Sequence, residues 1–480
     1  MAAGALLSRF WYKVLAVAAI YLSCQYGALR LSGAGWHKYF QPATYKNALD
    51  WSAASWEEIH QTWNLVYWDA IHYVDLALNP HCSAWYPLWP LVLKAFAPFT
   101  APDGLRLSFI FTQSLFLLSL PLTLLAFERI IRHRAIAFLC FCLYALGPNA
   151  IFHSIGYTES LFGLLSALLL LLLYRLEETK PTPIIRGLLY ASLLVTILLL
   201  NLNRPILLQT LFAVGVSLTC RFLISRRSPF PQGSLALGQG ATLVLGSAIG
   251  YSLYGAFCAA QGATFLGPFQ RQLEWGRTVA FRPSLLLLPR SLLMDLHGLY
   301  LPVALALLTG LLLLAYLRQP KQEQSRGASN AASKELGQSP SPHQIAVPLP
   351  RQPWAYLLLV HPLVFSLFIA LARWLRPTWL APQAVEASDA NVHSVSRFSV
   401  LFCLFFALAH VGINFLANMN ALYSTARHTF GSPFALVSLG VILAVVASPR
   451  LTKVTWIVAA VGLGMLVQQW FNFSGDHWLG

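Results

Sequence analysis

Apolar stretches of roughly membrane-spanning length recur along the chain, separated by short polar turns. They lie near residues 11–30, 107–127, 135–147, 159–174, 186–202, 205–220, 236–258, 299–317, 354–371, 396–418, 434–448 and 454–471. Apolar runs of about 18 or more residues read as transmembrane helices, so the pattern predicts an all-α polytopic membrane protein. Basic residues punctuate the runs: Arg129, Arg132 and Arg134 mark one cytoplasmic turn, Arg175, Lys180 and Arg186 a second, and Arg221, Arg226 and Arg227 a third. Arg9 and Lys13 precede the first stretch and hold the N-terminus in the cytoplasm. The competing reading of that stretch is a signal peptide processed near Leu22-Ser23-Cys24. Counting every stretch as a pass leaves Arg450 and Lys453 outside, against the positive-inside rule. One late stretch is therefore expected to be re-entrant or interfacial, giving about 11 spans (range about 10–13) and an outward C-terminus.

Two segments break the pattern within what reads as a single membrane domain, residues 1–480. Residues 33–103 form a long polar and aromatic stretch, expected to be the first extracytoplasmic loop with interfacial helices. Residues 318–353 are rich in Gln, Ser, Ala, Lys and Pro, a composition that buries no core and predicts a flexible cytoplasmic loop.

Composition narrows the class. Of 480 residues 57% are hydrophobic and 10% charged, against about 25% charged in soluble domains. A cytosolic enzyme, a disordered scaffold and a disulfide-stapled secreted domain are excluded. The net charge of +15 comes from 32 dispersed Lys and Arg, often at span ends, so no nucleic-acid partner is implied. The seven cysteines show neither metal nor disulfide spacing.

Candidate chemistry sits at the edges of the apolar runs. Seven of the fifteen Trp fall between Trp36 and Trp89, with His37, His60, His72 and His81. An interfacial aromatic belt accounts for most of them, but not for Asp69 and Asp75. In a helix, Asp69, His72 and Tyr73 share one face, a carboxylate beside an imidazole that suits a general base. The bland alternative is a helix cap. A second polar island, Gly147-Pro148-Asn149, His153-Ser154 and Tyr157-Thr158-Glu159-Ser160, precedes a long apolar run. Glu159 there is either a favourable acid at a helix start or a functional intramembrane acid. Arg271, Arg277, Arg282 and Arg290 fall in a loop expected outside, with Arg204 and Arg427-His428 facing the same way. Arginine on that side suits an anionic group such as a lipid phosphate, or plain headgroup contact. A phosphate-binding Gly-rich loop, HExxH and a pair of Asp one residue apart are all missing from the sequence, so no metal-clamped nucleotide donor is indicated.

Trp68-Asp69-Ala70-Ile71-His72-Tyr73, followed by Trp85-Tyr86-Pro87-Leu88-Trp89-Pro90-Leu91, resembles the first motif of the GPI mannosyltransferase 2 (PIG-V type) family. Gly156-Tyr157-Thr158-Glu159-Ser160-Leu161-Phe162 resembles its YSESLF motif, and Asn203-Arg204 its short Arg/Asn turn. Phe269-Gln270 with Glu274-Trp275-Gly276-Arg277, Ala426-Arg427-His428 with Ser432-Pro433, and the tail from Trp470 to Gly480 are similar to weaker later segments. The matches are collinear over residues 66–480. Asn79-Pro80-His81-Cys82 stands where the family often has Gly-Tyr, His428 replaces a Tyr or Phe, and residues 373–395 look like extra sequence. These departures bear on the acceptor.

The resemblance implies a GT-C glycosyltransferase bundle with its site at the outer or lumenal face. It also implies a polyprenyl- or dolichyl-phosphate-mannose donor, a lipid-linked glycan acceptor and an acidic catalytic base. Carried onto this chain, Asp69 is the base, Arg204, Arg277, Arg427 and His428 hold the donor phosphate, and Trp68, His72, Tyr73, Tyr157 and Glu159 orient the acceptor. No cofactor or metal ligand is assigned, and metal dependence stays open. Membrane lipids are further partners, and there is room for a small membrane subunit. The rival class is a lipid or sugar transporter or flippase, which would show paired repeats and mid-membrane charges. Asn472-Phe473-Ser474 is a sequon suited to an endoplasmic reticulum protein. The Trp275-Gly276-Arg277 segment and the short tail tilt the reading toward a bacterial cytoplasmic membrane.

Overall fold

The computed structural model describes residues 2–31, 69–95, 101–178, 181–225, 233–273, 279–286, 293–318, 394–417, 424–446 and 449–474. Within them the chain is all-helical. The helices are α1 (Ala2–Leu31), α2 (Asp69–Leu78), α3 (Leu88–Ala95), α4 (Ala101–Ile130), α5 (Arg134–Leu146), α6 (Glu159–Glu178), α7 (Pro183–Asn203) and α8 (Leu207–Ser225). They continue as α9 (Gly233–Ala260), α10 (Gly267–Leu273), α11 (Leu293–Arg318), α12 (Phe398–Ala417), α13 (Thr425–Phe430), α14 (Phe434–Val446) and α15 (Pro449–Ser474).

Seven described helices are long and apolar enough to cross a membrane: Ile110–Ile130 of α4, α6, α7, α8, Ser234–Ala260 of α9, α12 and Trp456–Phe473 of α15. This is the architecture of a multi-pass membrane protein, with fewer qualifying spans than the eleven expected. The difference has identifiable sources. α5 has 13 residues, shorter than a span, and among the described residues only His297–Leu311 of the 26-residue α11 and Phe434–Ala444 of α14 count as apolar helix. α1 has 30 residues but carries Lys13, Gln25 and several Tyr, and does not qualify. The stretch at 354–371 lies outside the described residues, as do 33–68 and 96–100 of the long loop and 319–353 of the flexible one.

Helix α6 is the hub. Its span is 72% buried, whereas those of α7 and α15 are 22% buried, so α6 is wrapped by protein and the others face outward. Its Leu-rich run packs against α4 and α7. Backbones approach closely where side chains are small, as is usual between membrane helices. On α9, a Cβ at Gly246 or Gly250 would lie 2.8 Å from the α7 carbonyls of Leu194 and Leu198 respectively.

The two ends of the bundle differ in charge. Lys13, Arg129, Arg132, Arg134, Arg175, Arg186, Arg221 and Arg397 gather at one end. There Lys13 Nζ meets Glu128 at 2.5 Å, Arg132 meets Glu178 at 3.6 Å, and Arg397 also pairs with Glu178. Glu177 accepts from the Ser399 amide at 2.9 Å and its hydroxyl at 2.6 Å. The Arg221 guanidinium donates to the Ser396 carbonyl at 3.0 Å. These contacts pin α12 antiparallel to both α6 and α8. The opposite end holds the start of α6, the end of α7, the short helices α2, α3 and α13, and a Cys82–Cys258 disulfide closing a sequence separation of 176 residues. That bond corrects the reading of the cysteines, because local spacing carries no information about a partner so far along the chain.

Candidate functional site

The lightly basic end assembles its polar groups from four separate parts of the chain. The apolar run of α6 must begin after a break. Gly147 and Pro148 end α5, a 3-10 turn follows over Pro148–His153, and Gly156 takes φ +82°. A side chain at Gly156 would also meet Ser108 Oγ at 2.8 Å and Ala70 Cβ at 3.2 Å. Glycine is therefore required there both by conformation and by space. Its carbonyl accepts from Trp89 Nε1 at 3.2 Å and Ser108 Oγ at 3.0 Å, which ties α3 and α4 to the turn that delivers Glu159.

Glu159 opens α6 with no solvent exposure. Its Oε1 accepts from Arg204 and from Arg427 Nε, and its Oε2 has no hydrogen-bond partner. Arg204, where α7 ends, reaches back over α6. Its Nε donates to Thr158 Oγ1 at 3.0 Å, its Nη1 lies 3.3 Å from His428 Nδ1, and its guanidinium sits 5.1 Å from the Phe162 ring. Arg427 comes from α13, a single turn held against α11. Asp295 Oδ1 accepts the Ala426 amide at 2.9 Å, and Thr429 Oγ1 donates to the Gly298 carbonyl at 2.8 Å. A Cβ at Gly298 would stand 2.6 Å from Ala426 N and Cα, so glycine permits the contact. Burial raises Asp295 to about 6.

Arg427 Nη1 also holds Asp69 Oδ2 at 2.8 Å. Its guanidinium lies over Tyr157 at 4.3 Å and near Phe152 at 5.2 Å, a cation–π setting. Burial opposes its charge, but Glu159 and Asp69 outweigh burial and raise its pKa above the ordinary value. Asp69 starts α2 and is the open member: its side chain is 30% exposed, against 8% for Arg427 and none for Glu159. Tyr73, buried on the same helix, feels Asp69, Arg204, Arg427 and Glu159. His72 stacks on Trp85 with ring centroids 3.9 Å apart, and burial lowers its pKa against the pull of Asp69.

The sequence candidates Asp69, His72, Tyr73, Tyr157, Glu159, Arg204, Arg427 and His428 thus share one end of the bundle. Trp68 and Arg277 lie outside the described residues. Glu159 is placed as a common anchor for two arginines, deeper than a group that touches an incoming substrate. Neither arginine is idle: the pairs Asp69–Arg427 and Glu159–Arg204 leave the carboxylates and guanidiniums balanced. Sequence reasoning missed Asp295 and His410, and named Thr158 only within the polar island that contains Glu159. His410 stacks on His428 with centroids 4.9 Å apart; its signal was an ionisable group inside an apolar run. Asp295 had the same signal at the edge of one. Among the described residues no group of three or more His, Cys, Asp or Glu is placed to hold a metal ion.

What the arrangement can do follows from its charge layout. An anionic ligand entering beside Asp69 competes with it for Arg427, and a carboxylate so displaced becomes available to accept a proton. No family model, curated protein or solved structure matches the chain.

Proposed function

We propose that the chain is a GT-C-like membrane glycosyltransferase that moves mannose from a polyprenyl- or dolichyl-phosphate-mannose to a lipid-linked glycan. The observation that carries this reading is the shared hold of Arg427 on buried Glu159 and part-exposed Asp69. It supplies a fixed cation for a phosphate and, within one guanidinium's reach, a carboxylate for a hydroxyl. The transfer is inverting. The donor phosphate takes the outer face of Arg427 and releases Asp69. Asp69 accepts the proton of the acceptor hydroxyl, whose oxygen forms the new bond to the anomeric carbon. The bond from that carbon to phosphate oxygen breaks, and its electron pair leaves with the lipid phosphate. Arg204 and Arg427 stabilise the charge where it develops.

Two observations support an extracytoplasmic site. The other end carries most of the described arginines, the cytoplasmic signature. The site end carries the Cys82–Cys258 bond, which persists in an oxidising compartment such as the periplasm or the endoplasmic reticulum lumen. The test is transfer of labelled mannose from synthetic polyprenyl- and dolichyl-phosphate-mannose to membrane lipids. Asp69→Asn should lower turnover by about 10²–10⁴-fold, the range of a general base, with folding intact. Retention of most activity by that variant refutes the base. No transfer by folded wild type, from either donor, points instead to a transporter without bond chemistry.

A further inference from the structure

Arg204 stands at the end of a membrane span, but Arg427 rides on α13, a turn of only six residues. The amides that open a helix have no partner inside it, and a serine just before the helix usually caps them. The Ser424 side chain makes no such bond. Its backbone takes φ +59°, the left-handed region, and is alone in that among the described non-glycine residues. Such a conformation persists only where the surroundings hold it. The cap comes instead from another helix. Asp295 of α11, 2% exposed, accepts the Ala426 amide at 2.9 Å, and the Thr425 and Ala426 amides both favour its charged form. Glycine at 298 leaves room for the two backbones to approach. One residue past the cap, Arg427 reaches Glu159 and Asp69.

The elements packed on α11 bring few other charges to Asp295. α13 carries Arg427 and His428, and α12 carries His410 and, farther along, Cys403. α14 has no titratable residue, the turn Pro283–Leu286 follows Arg282, and α8 meets α11 only near Leu313 at the far end. His297 is on α11 itself. None of these is among the influences on Asp295, which are burial and the two amides. A hydrogen bond to an ionised acceptor is roughly twice as strong as one to a neutral acceptor, so the charge on Asp295 sets how firmly α13 is seated. We propose that the ionised Asp295 carboxylate is the positioning residue for Arg427, capping α13 from α11 and holding the guanidinium where it grips a lipid phosphate, and that a proton on Asp295 loosens that grip. This rests on the phosphate reading of Arg427 and adds to it the group that controls it. Burial raises Asp295 to about 6. The folded chain therefore takes up this proton more readily than the unfolded one. The Asp295 contribution to global stability is fully present below the ordinary carboxylate value and is lost as pH rises through the folded one. Affinity lost on acidification through this group reports the seating of α13, because its effect on global stability has the opposite sign.

The test is binding of dolichyl-phosphate-mannose to the full chain in lipid nanodiscs, at about pH 7.5 and about pH 5.5. The probe is a phosphodiester, which gains no proton in this range, whereas a phosphomonoester titrates near about 6. Wild type should bind about three- to tenfold less tightly at the lower pH, the difference between a charged and a neutral acceptor. Asp295→Asn keeps the shape of the cap and never ionises. It should bind at the higher pH about as wild type does at the lower one, and change by less than about twofold between them. Where that variant fails to fold, Asp295→Ser, smaller and equally unable to ionise, takes its place and should show the same flat profile. Wild-type affinity that does not change with pH overturns the proposal without any variant. A slope that persists in the variants assigns it to another group, His428 being the titratable neighbour on α13, and overturns the proposal as well. Both results leave the phosphate reading intact. Failure of folded wild type to bind the lipid at either pH overturns that reading together with the role of Asp295.

Discussion

Glu159→Gln isolates the anchor. The substitution keeps the shape of the side chain and removes one negative charge from a position with no solvent exposure. Arg427 retains Asp69 at 2.8 Å. Arg204 loses its carboxylate and keeps Thr158 Oγ1 and His428, with a side chain only 8% exposed. Removing one partner of a buried ion pair costs about 3–5 kcal/mol, because the remaining charge is left uncompensated. The loss should fall mainly on Arg204, and salt should recover little of it, since buried pairs are weakly screened. The assay is denaturant or thermal unfolding of the full chain in detergent, compared across wild type, Glu159→Gln, Arg204→Met and the double variant. Replacing both members of a buried pair with neutral groups is often close to neutral. The double variant should therefore be more stable than Glu159→Gln alone by more than about 1 kcal/mol. Strict additivity, or a single variant within about 0.5 kcal/mol of wild type, would refute the anchoring role.

Three further outcomes follow from the same geometry. Asp295→Ala releases the Ala426 amide and should destabilise α13 by about 1–3 kcal/mol; a raised donor requirement with unchanged maximal turnover is the kinetic sign that Arg427 has shifted. Cys82→Ser with Cys258→Ser removes the covalent tether between the loop after α2 and α9, where Tyr254 also bonds to Ser83. Unfolding stability should fall by about 2–4 kcal/mol, and mass spectrometry of the alkylated wild-type chain should show the two thiols reactive only after reduction. His72 has a lowered pKa in the fold, so the unfolded chain binds the proton more readily. Its contribution to stability is present above the ordinary imidazole value and is lost as pH falls through the folded one. His72→Gln should flatten the acid limb of the stability profile below the ordinary imidazole range, and an unchanged limb would assign that limb to other groups.

The residues that meet at the site were legible singly and not as a set. Asp69, Glu159, Arg204 and Arg427 each stand out because a charge at the edge of an apolar run has few unremarkable explanations. Their pairing was not readable, since the Asp69–Arg427 contact joins residues 358 positions apart and no local period encodes it. The cysteines failed the same way. The helical segments were legible wherever apolar runs were unbroken, as in α6 and α12. Span number was not, because length and hydropathy differ between a helix packed inside a bundle, such as α5, and one facing lipid. His410 escaped notice for a further reason: an isolated imidazole in an apolar run looks like packing until its neighbours are known.

The dispersed origin of the site has a consequence for how the protein is made. Glu159 and Arg204 lie at the ends of adjacent helices and meet as soon as α7 is synthesised. Arg427 arrives only after the ribosome has added more than two hundred further residues, and Asp69 waits for it throughout. During that interval the outer end of the bundle lacks the cation that Asp69 and Glu159 share. A chain halted before Thr425 should therefore remain a client of membrane quality control, whatever the number of helices already inserted.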